Sequence, residues 1–190
     1  IYTAAIRQDN EEFQAAKSAG IPMLTRAQLL GQIMANYKYS VAVSGTHGKT
    51  TTTSMLSLIM MEGDTDPTIS VGGMIDAIGG NIRVGSSEYF VTEACEYTNS
   101  FHAFNPYISL ILNVDADHLD FFSGIEEIAE SFHTFATKTP KEGLVIVNGD
   151  MKYYDTVVRD LSCRVLTFGE SEDNNYTAKN ITFDSFGHPT

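Results

Sequence analysis

Three short stretches concentrate residues able to do chemistry. In the first, S-G-T-H-G-K-T at residues 44–50, two glycines frame a loop, a lysine follows the second glycine and a threonine follows the lysine. Apolar Val41, Ala42 and Val43 precede the loop and a helix-forming run follows it. A loop between a buried strand and a helix aims backbone N–H groups and the positive helix end at one point, so an anion belongs there. Lys49 is placed to reach the β- and γ-phosphates of a nucleotide and the Thr50 hydroxyl to ligate magnesium, the division of labour in a P-loop. The eight-residue form of that loop requires glycine where this chain has Val43, so only the shortened G-x-x-G-K-T is present.

The second stretch, E-A-C-E-Y-T-N-S-F at residues 93–101, opens with a carboxylate at the end of a strand-like run, residues 88–92. Ligands of open α/β sheets bind at the carboxyl ends of strands, so Glu93 is expected to face the phosphate loop as a magnesium ligand, a role that suits hard oxygen donors. Glu96 is a rival, and position alone does not separate the two. The third stretch, N-V-D-A-D-H-L-D at residues 113–120, sets three carboxylates around His118 behind another apolar run. Metal or proton chemistry competes there with an acidic turn and helix cap holding a hydrogen-bonded histidine. His133 reads as a surface or core-edge residue, and His102 as a residue at the cleft or without a role. Met55, Met60 and Met61 fit helix packing, Tyr153 and Tyr154 a helix face, and Glu126, Glu127 and Glu130 a solvated surface.

The elements that must position these stretches alternate between short apolar strands and helical patterns, the mark of an α/β fold with a mostly parallel sheet. Residues 1–39 predict a strand at 1–5, a helix at 11–18 stopped by Gly20, a strand at 21–24, and a helix from Thr25 to about Tyr37 with Gln28 completing a capping box. This piece is too small to stand alone and reads as the tail of a preceding, Rossmann-like domain. A second domain, residues 40–190, restarts with a strand at 40–43, a helix from Lys49 to about Met61 closed by Gly63, and a short strand at 69–71. Residues 72–87 hold five glycines and predict an irregular surface segment. Runs 88–92 and 107–112 read as central strands. Ser123 and Glu126 predict a capping box for a helix carrying Ile125, Ile128, Phe132 and Phe135. A strand at 144–147, a helix at 151–161, a strand at 164–168 and antiparallel strands at 176–179 and 181–183 complete the pattern. The chain is expected to end inside this domain and to self-associate through the edge that leaves.

A net charge of −12 with no basic stripe argues against a nucleic-acid partner. No apolar run approaches the roughly 18 residues needed to span a bilayer, so no membrane partner is expected. Cys95 and Cys163 have no metal-type spacing and fit reduced thiols in a cytoplasmic protein.

In order and spacing, the three stretches together resemble the Mur ligase family. The resemblance implies three domains, of which residues 1–39 cover the end of a UDP-sugar-binding domain and residues 40–190 the larger part of a central, P-loop-type ATPase domain. It implies ATP and Mg2+ as cofactors: Gly45, Thr46, His47, Gly48, Lys49, Thr50 and Thr51 hold the nucleotide phosphates, Thr50 and Glu93 ligate one magnesium ion, and His118 ligates a second. Lys49, Glu93 and His118 are then the catalytic set. The resemblance further implies UDP-N-acetylmuramate and L-alanine as small-molecule substrates, joined through an acyl phosphate in peptidoglycan precursor synthesis. Asn, Arg and Asp positions that complete the family's nucleotide site have no match in this chain. Alternatives are the murein tripeptide recycling ligase, folylpolyglutamate synthase, or an ATP-binding fragment without ligase activity.

Overall fold

Runs that are apolar on both faces need cover on both sides, and the alternating helices supply it. The structure, a computed structural model, describes residues 1–3 and 5–187. Its strands are β1 (Tyr39–Ser44), β2 (Thr68–Ile75), β3 (Gly80–Arg83), β4 (Tyr89–Glu93), β5 (Ile108–Ile111), β6 (Leu144–Asn148), β7 (Arg164–Gly169) and β8 (Tyr176–Thr177). Among the described residues they form one eight-stranded sheet in the order β3-β2-β4-β1-β5-β6-β7-β8, parallel throughout except at the β2–β3 pair. The helices are α1 (Glu11–Ser18), α2 (Arg26–Met34), α3 (Lys49–Glu62), α4 (Ile125–Ala136) and α5 (Tyr154–Val158). The mostly parallel α/β architecture expected from the alternation is the one found.

Helix α4 shows how pattern becomes packing. Ile128, Phe132 and Phe135 lie on one face and are fully buried. Phe135 stacks on Phe101 with ring centroids 4.7 Å apart, and Phe132 meets the same ring edge-on at 5.3 Å. Burying each of these rings stabilises the fold by about 1.5–3 kcal/mol. Phe101 belongs to the 3-10 segment Tyr97–Ala103 that follows β4 and is the last residue of the second chemical stretch, so the main core clamps that stretch at its end. Helix α2 clamps the segment two residues further on. A Cβ at Gly31 would overlap the Ala103 carbonyl oxygen, so only glycine permits this approach, and Met34 enters the same core as Phe101.

Several boundaries differ from the sequence expectation. Of the strands expected at 1–5 and 21–24, the described residues show a single parallel bridge between Tyr2 and Thr25, and residue 4 lies outside the described residues. The Thr25–Gln28 capping box forms, but α2 stops at Met34, and Tyr37 instead donates from its hydroxyl to Thr68 Oγ1 at 2.9 Å. Residues 72–83 are regular, not irregular: β2 runs on to Ile75, a 3-10 turn spans Asp76–Ile78, and β3 returns antiparallel, leaving only 84–87 without regular structure. The glycines at 72 and 73 serve close packing there, not looseness. At the start of α4, Ser123 bonds Glu127 through both its N–H and its hydroxyl, at 2.7 Å each, and the cap position falls on Gly124. The expected partner Glu126 is out of register by one residue. The helix expected at 151–161 is only the five residues of α5. Strand β8 runs parallel to β7, and residues 181–183 add no strand to this sheet. The Asp150 carboxylate gathers the N–H groups of Glu170 and Ser171 and the Asn174 amide, which turns the chain back tightly enough to restart in the same direction.

Candidate active site

Parallel register brings the three chemical stretches to one edge of the sheet. Val43 of β1 stands beside Glu93 of β4 on one side, and Ser44 stands beside Ile111 of β5 on the other. Each strand therefore releases its loop at the same level, the place where open α/β sheets bind ligands.

The loop after β1 depends on two glycines. Gly45 has φ +145°, and a Cβ there would lie 2.9 Å from Leu112 Cβ. Gly48 has φ +84° and caps α3 with no side-chain hydrogen bond, so the first-turn N–H groups of that helix are left for another acceptor. Asn113, just past β5, clasps the loop. Its backbone oxygen accepts from Thr46 N at 3.2 Å, its Oδ1 accepts from His47 N at 2.8 Å, and its Nδ2 donates to the His47 oxygen at 3.0 Å. Asp115 N donates to Thr46 Oγ1 at 2.9 Å and adds a fourth tie.

Lys49 folds back over this loop. Its Nζ donates to the Gly45 oxygen at 2.6 Å and the Thr46 oxygen at 3.1 Å, and it meets both oxygens of Glu96 at 2.9 and 3.2 Å. Glu96 is only 1% exposed. His118 Nε2 lies 3.7 Å from Glu96 Oε1, so one carboxylate links the lysine and the histidine. A tight turn presents His118: its φ is +52°, its N–H donates to Asp117 Oδ1 at 2.7 Å, and its carbonyl accepts from Phe121 and Phe122. Tyr97 packs on the imidazole with centroids 4.6 Å apart, and its hydroxyl donates to Asp120 Oδ2 at 2.9 Å. That bond to a carboxylate pushes the Tyr97 phenol above its ordinary range.

The other expected ligands sit on the opposite flank. Glu93 Oε1 accepts from Gly72 N at 2.7 Å. A Cβ at the next residue, Gly73, would lie 2.9 Å from Thr50 Cγ2. Glu93 and Thr50 thus face adjacent residues of β2, Gly72 and Gly73, in space that side chains there would fill. Oxygen donors from one carboxylate and one hydroxyl at a helix start suit magnesium, which takes most of its remaining ligands from water and phosphate. Among the described residues no three His, Cys, Asp or Glu side chains form a closed metal cage. Beside Glu93 opens a cavity of about 440 Å³, lined by Arg26, Ser70, Gly72, Cys95 and Asn99 among others, between the start of α2 and the ends of β2 and β4.

Glu93 and Glu96, rivals by position in the sequence, have different partners in the structure, Gly72 for the first and Lys49 for the second. Asn113, Tyr97 and Gly72 join the site without a role in the sequence motifs. Asn113 carried a visible signal, an amide directly behind an apolar run on the motif's edge, whereas the Gly72 contact depends on strand order and had none. His102 and His133 serve packing. His102 Nε2 lies 2.9 Å from the Ser131 oxygen, and burial pushes its imidazole below the ordinary range. His133 Nδ1 lies 3.2 Å from the Val157 oxygen. Both cysteines are free thiols, and no helix among the described residues is long and apolar enough to cross a membrane.

Comparison with known proteins identifies the family. Residues 43–190 match the family model of the Mur ligase middle domain, and residues 1–38 match that of the Mur ligase family, catalytic domain. The UDP-N-acetylmuramate–L-alanine ligase of Agathobacter rectalis is 56% identical over 184 residues, which cover 97% of this chain and 40% of that protein. The enzyme of the same name from Acetivibrio thermocellus is 52% identical over 188 residues, covering 98% and 40%. Among solved structures, the UDP-N-acetylmuramate-alanine ligase of Thermotoga maritima superposes with a TM-score of 0.79 at 27% identity, covering 95% of this chain and 40% of that one. A UDP-N-acetylmuramate:L-alanyl-gamma-D-glutamyl-meso-diaminopimelate ligase from Neisseria meningitides shares the fold, with a TM-score of 0.82 at 24% identity over 96% of this chain and 60% of that one. The chain spans about two-fifths of the length of the curated relatives it matches. Since the middle-domain match takes in the whole phosphate loop and both motifs that face it, the chain belongs to the Mur ligase family.

Proposed function

We propose that this chain is the nucleotide-binding part of a cytoplasmic ligase that joins L-alanine to the carboxylate of UDP-N-acetylmuramate in peptidoglycan precursor synthesis, forming ADP. The observation that carries the reading is the phosphate loop itself, which holds Lys49 over its own carbonyls while Glu93 stands one strand away. On this reading residues 1–39 belong to the UDP-sugar domain and residues 40–190 to the ATP-binding domain.

The first-turn N–H groups of α3, from Lys49 to Thr51, orient the phosphates, and Lys49 sets a fixed positive charge beside them. Thr50 and Glu93 would hold one magnesium ion, and His118, with Tyr97 against its ring, would hold a second. Bound magnesium offsets the charge that spreads over the γ-phosphate oxygens during transfer. The cavity beside Glu93 holds the acceptor carboxylate in line with the phosphorus, a positioning effect that contributes on the order of several kcal/mol. The carboxylate becomes an acyl phosphate with ADP leaving, and the alanine amine then displaces phosphate.

The test is ADP formation by the full-length protein, measured with and without each substrate. Release should require both UDP-N-acetylmuramate and L-alanine. Glu93→Gln, which keeps size and removes charge, should lower turnover by at least about 100-fold, and His118→Ala should cripple turnover with less effect on ATP binding. ADP formation indifferent to UDP-N-acetylmuramate, or a Glu93→Gln enzyme of near-normal rate, would reject the assignment.

A further inference from the structure

The geometry points to Glu96 as an anionic gate on the phosphate loop: a positioning residue that withholds Lys49 from a bare nucleotide and releases it only when a divalent cation arrives. The inference rests on the proposed nucleotide site and adds a condition for its occupancy.

Glu96 is nearly sealed from water, and its hydrogen-bond and ionic partners among the described residues are Lys49 and His118. Both carboxylate oxygens are spent on Lys49. A buried carboxylate cannot be left alone, because no water is there to replace a lost partner. The charge that a phosphate loop normally offers its ligand is therefore already neutralised from within. Glu93 adds a second negative charge one strand away, and Asp115 and Asp117 lie on the segment that clasps the loop. A metal-free triphosphate meets helix N–H groups that attract it and two carboxylates that repel it, with no net cation to settle the balance.

A divalent ion changes the balance in one step. It brings positive charge for Glu93 and Glu96 together, so that the phosphates share Lys49 without stranding a buried anion. Lys49 need not travel, since the Gly45 and Thr46 carbonyls keep Nζ over the loop whichever anion it faces. Only its pairing changes. Of the two acidic motif residues, Glu96 holds the lysine and Glu93 does not, so the gate is a property of Glu96.

The experiment is a calorimetric titration of the full-length protein with ATP, in excess EDTA and in excess MgCl2, for wild type, Glu96→Gln and Glu96→Asp. Wild type should bind ATP at least 10-fold more weakly in EDTA. Glu96→Gln should tighten metal-free binding by 10-fold or more and so narrow the gap, while Glu96→Asp, which keeps the charge, should retain it. A structural role alone would weaken both conditions together and would not change their ratio. Wild type binding equally well in EDTA and in magnesium overturns the gate without any variant, as does a Glu96→Gln protein whose metal-free affinity is unchanged or reduced. If wild type, folded by its melting curve, binds no ATP in either condition, the nucleotide assignment fails and the gate falls with it.

Discussion

Among the carboxylates that hold a basic side chain, Glu96 with Lys49 at the phosphate loop and Asp66 with Arg83 at the β2–β3 hairpin do so in opposite ways. Asp66 is tied to groups that nothing will claim. Its Oδ2 accepts from Ser86 Oγ at 2.5 Å and Ser86 N at 2.8 Å, its Oδ1 accepts from Arg83 Nη2 at 2.5 Å, and Arg83 Nη1 continues to the Pro67 oxygen at 2.8 Å. The Ser86 bonds, then Arg83, hold the Asp66 carboxyl far below the usual carboxylate range. Glu96 is buried instead, and it leans on two side chains that a phosphate or a metal ion would also seek. A pair made of backbone and hydroxyl donors builds a turn; a pair made of mobile charges stores a state that a ligand can exchange.

The largest effect should come from breaking the buried pair at its cationic end. Lys49→Met leaves Glu96 charged, sealed and alone, and should cost about 3 kcal/mol of unfolding free energy in urea titrations as well as nucleotide binding. Adding Glu96→Gln to that variant should restore most of the stability and none of the binding. A stable Lys49→Met single variant would mean that Glu96 does not depend on the lysine. A smaller loss is expected at the hairpin from Gly85→Ala, whose Cβ would overlap the Asp66 and Pro67 carbonyl groups. About 1–3 kcal/mol of overpacking should appear as a lower urea midpoint, with nucleotide affinity untouched; a change in affinity would show that the hairpin and the loop are not independent. The smallest effect sharpens the exposed pair. Asp66 has a depressed folded pKa, so its contribution is fully present above its unfolded value near 3.9 and fades as pH falls toward the folded one. The melting temperature of wild type should exceed that of Asp66→Asn at pH 7 by a margin that shrinks below about pH 4. A margin independent of pH would place its origin elsewhere than in the charge.

Much of this was legible because it is local. Helix α1, the Thr25–Gln28 box and the helix behind Lys49 follow from neighbours three or four residues apart, and the central strands follow from continuous apolar runs. The extension of β2 was not, because Gly72 and Gly73 read as loop residues until Glu93 and Thr50 are seen to occupy the space their side chains would take. The short α5 and the parallel β8 depend on Asp150 collecting donors from residues 170–174, a contact across 20 residues or more that no window of sequence contains. At the site the residue types were visible and their partners were not. Glu93 and Glu96 differ by three positions on the chain, yet the first ends β4 and meets β2 while the second, beyond the strand, lies under Lys49.

The contact at Gly31 has a mechanical consequence. Residues 1–38 and 43–190 match different family models, yet at this point backbone meets backbone with no side chain between to act as a bearing. Such a joint is a weld: α2 and the segment after Glu96 can tilt only as one lever, so a load applied to the first is felt under the lysine. An alanine there would work as a shim, levering α2 away from Ala103 and letting play into a cavity wall that includes both.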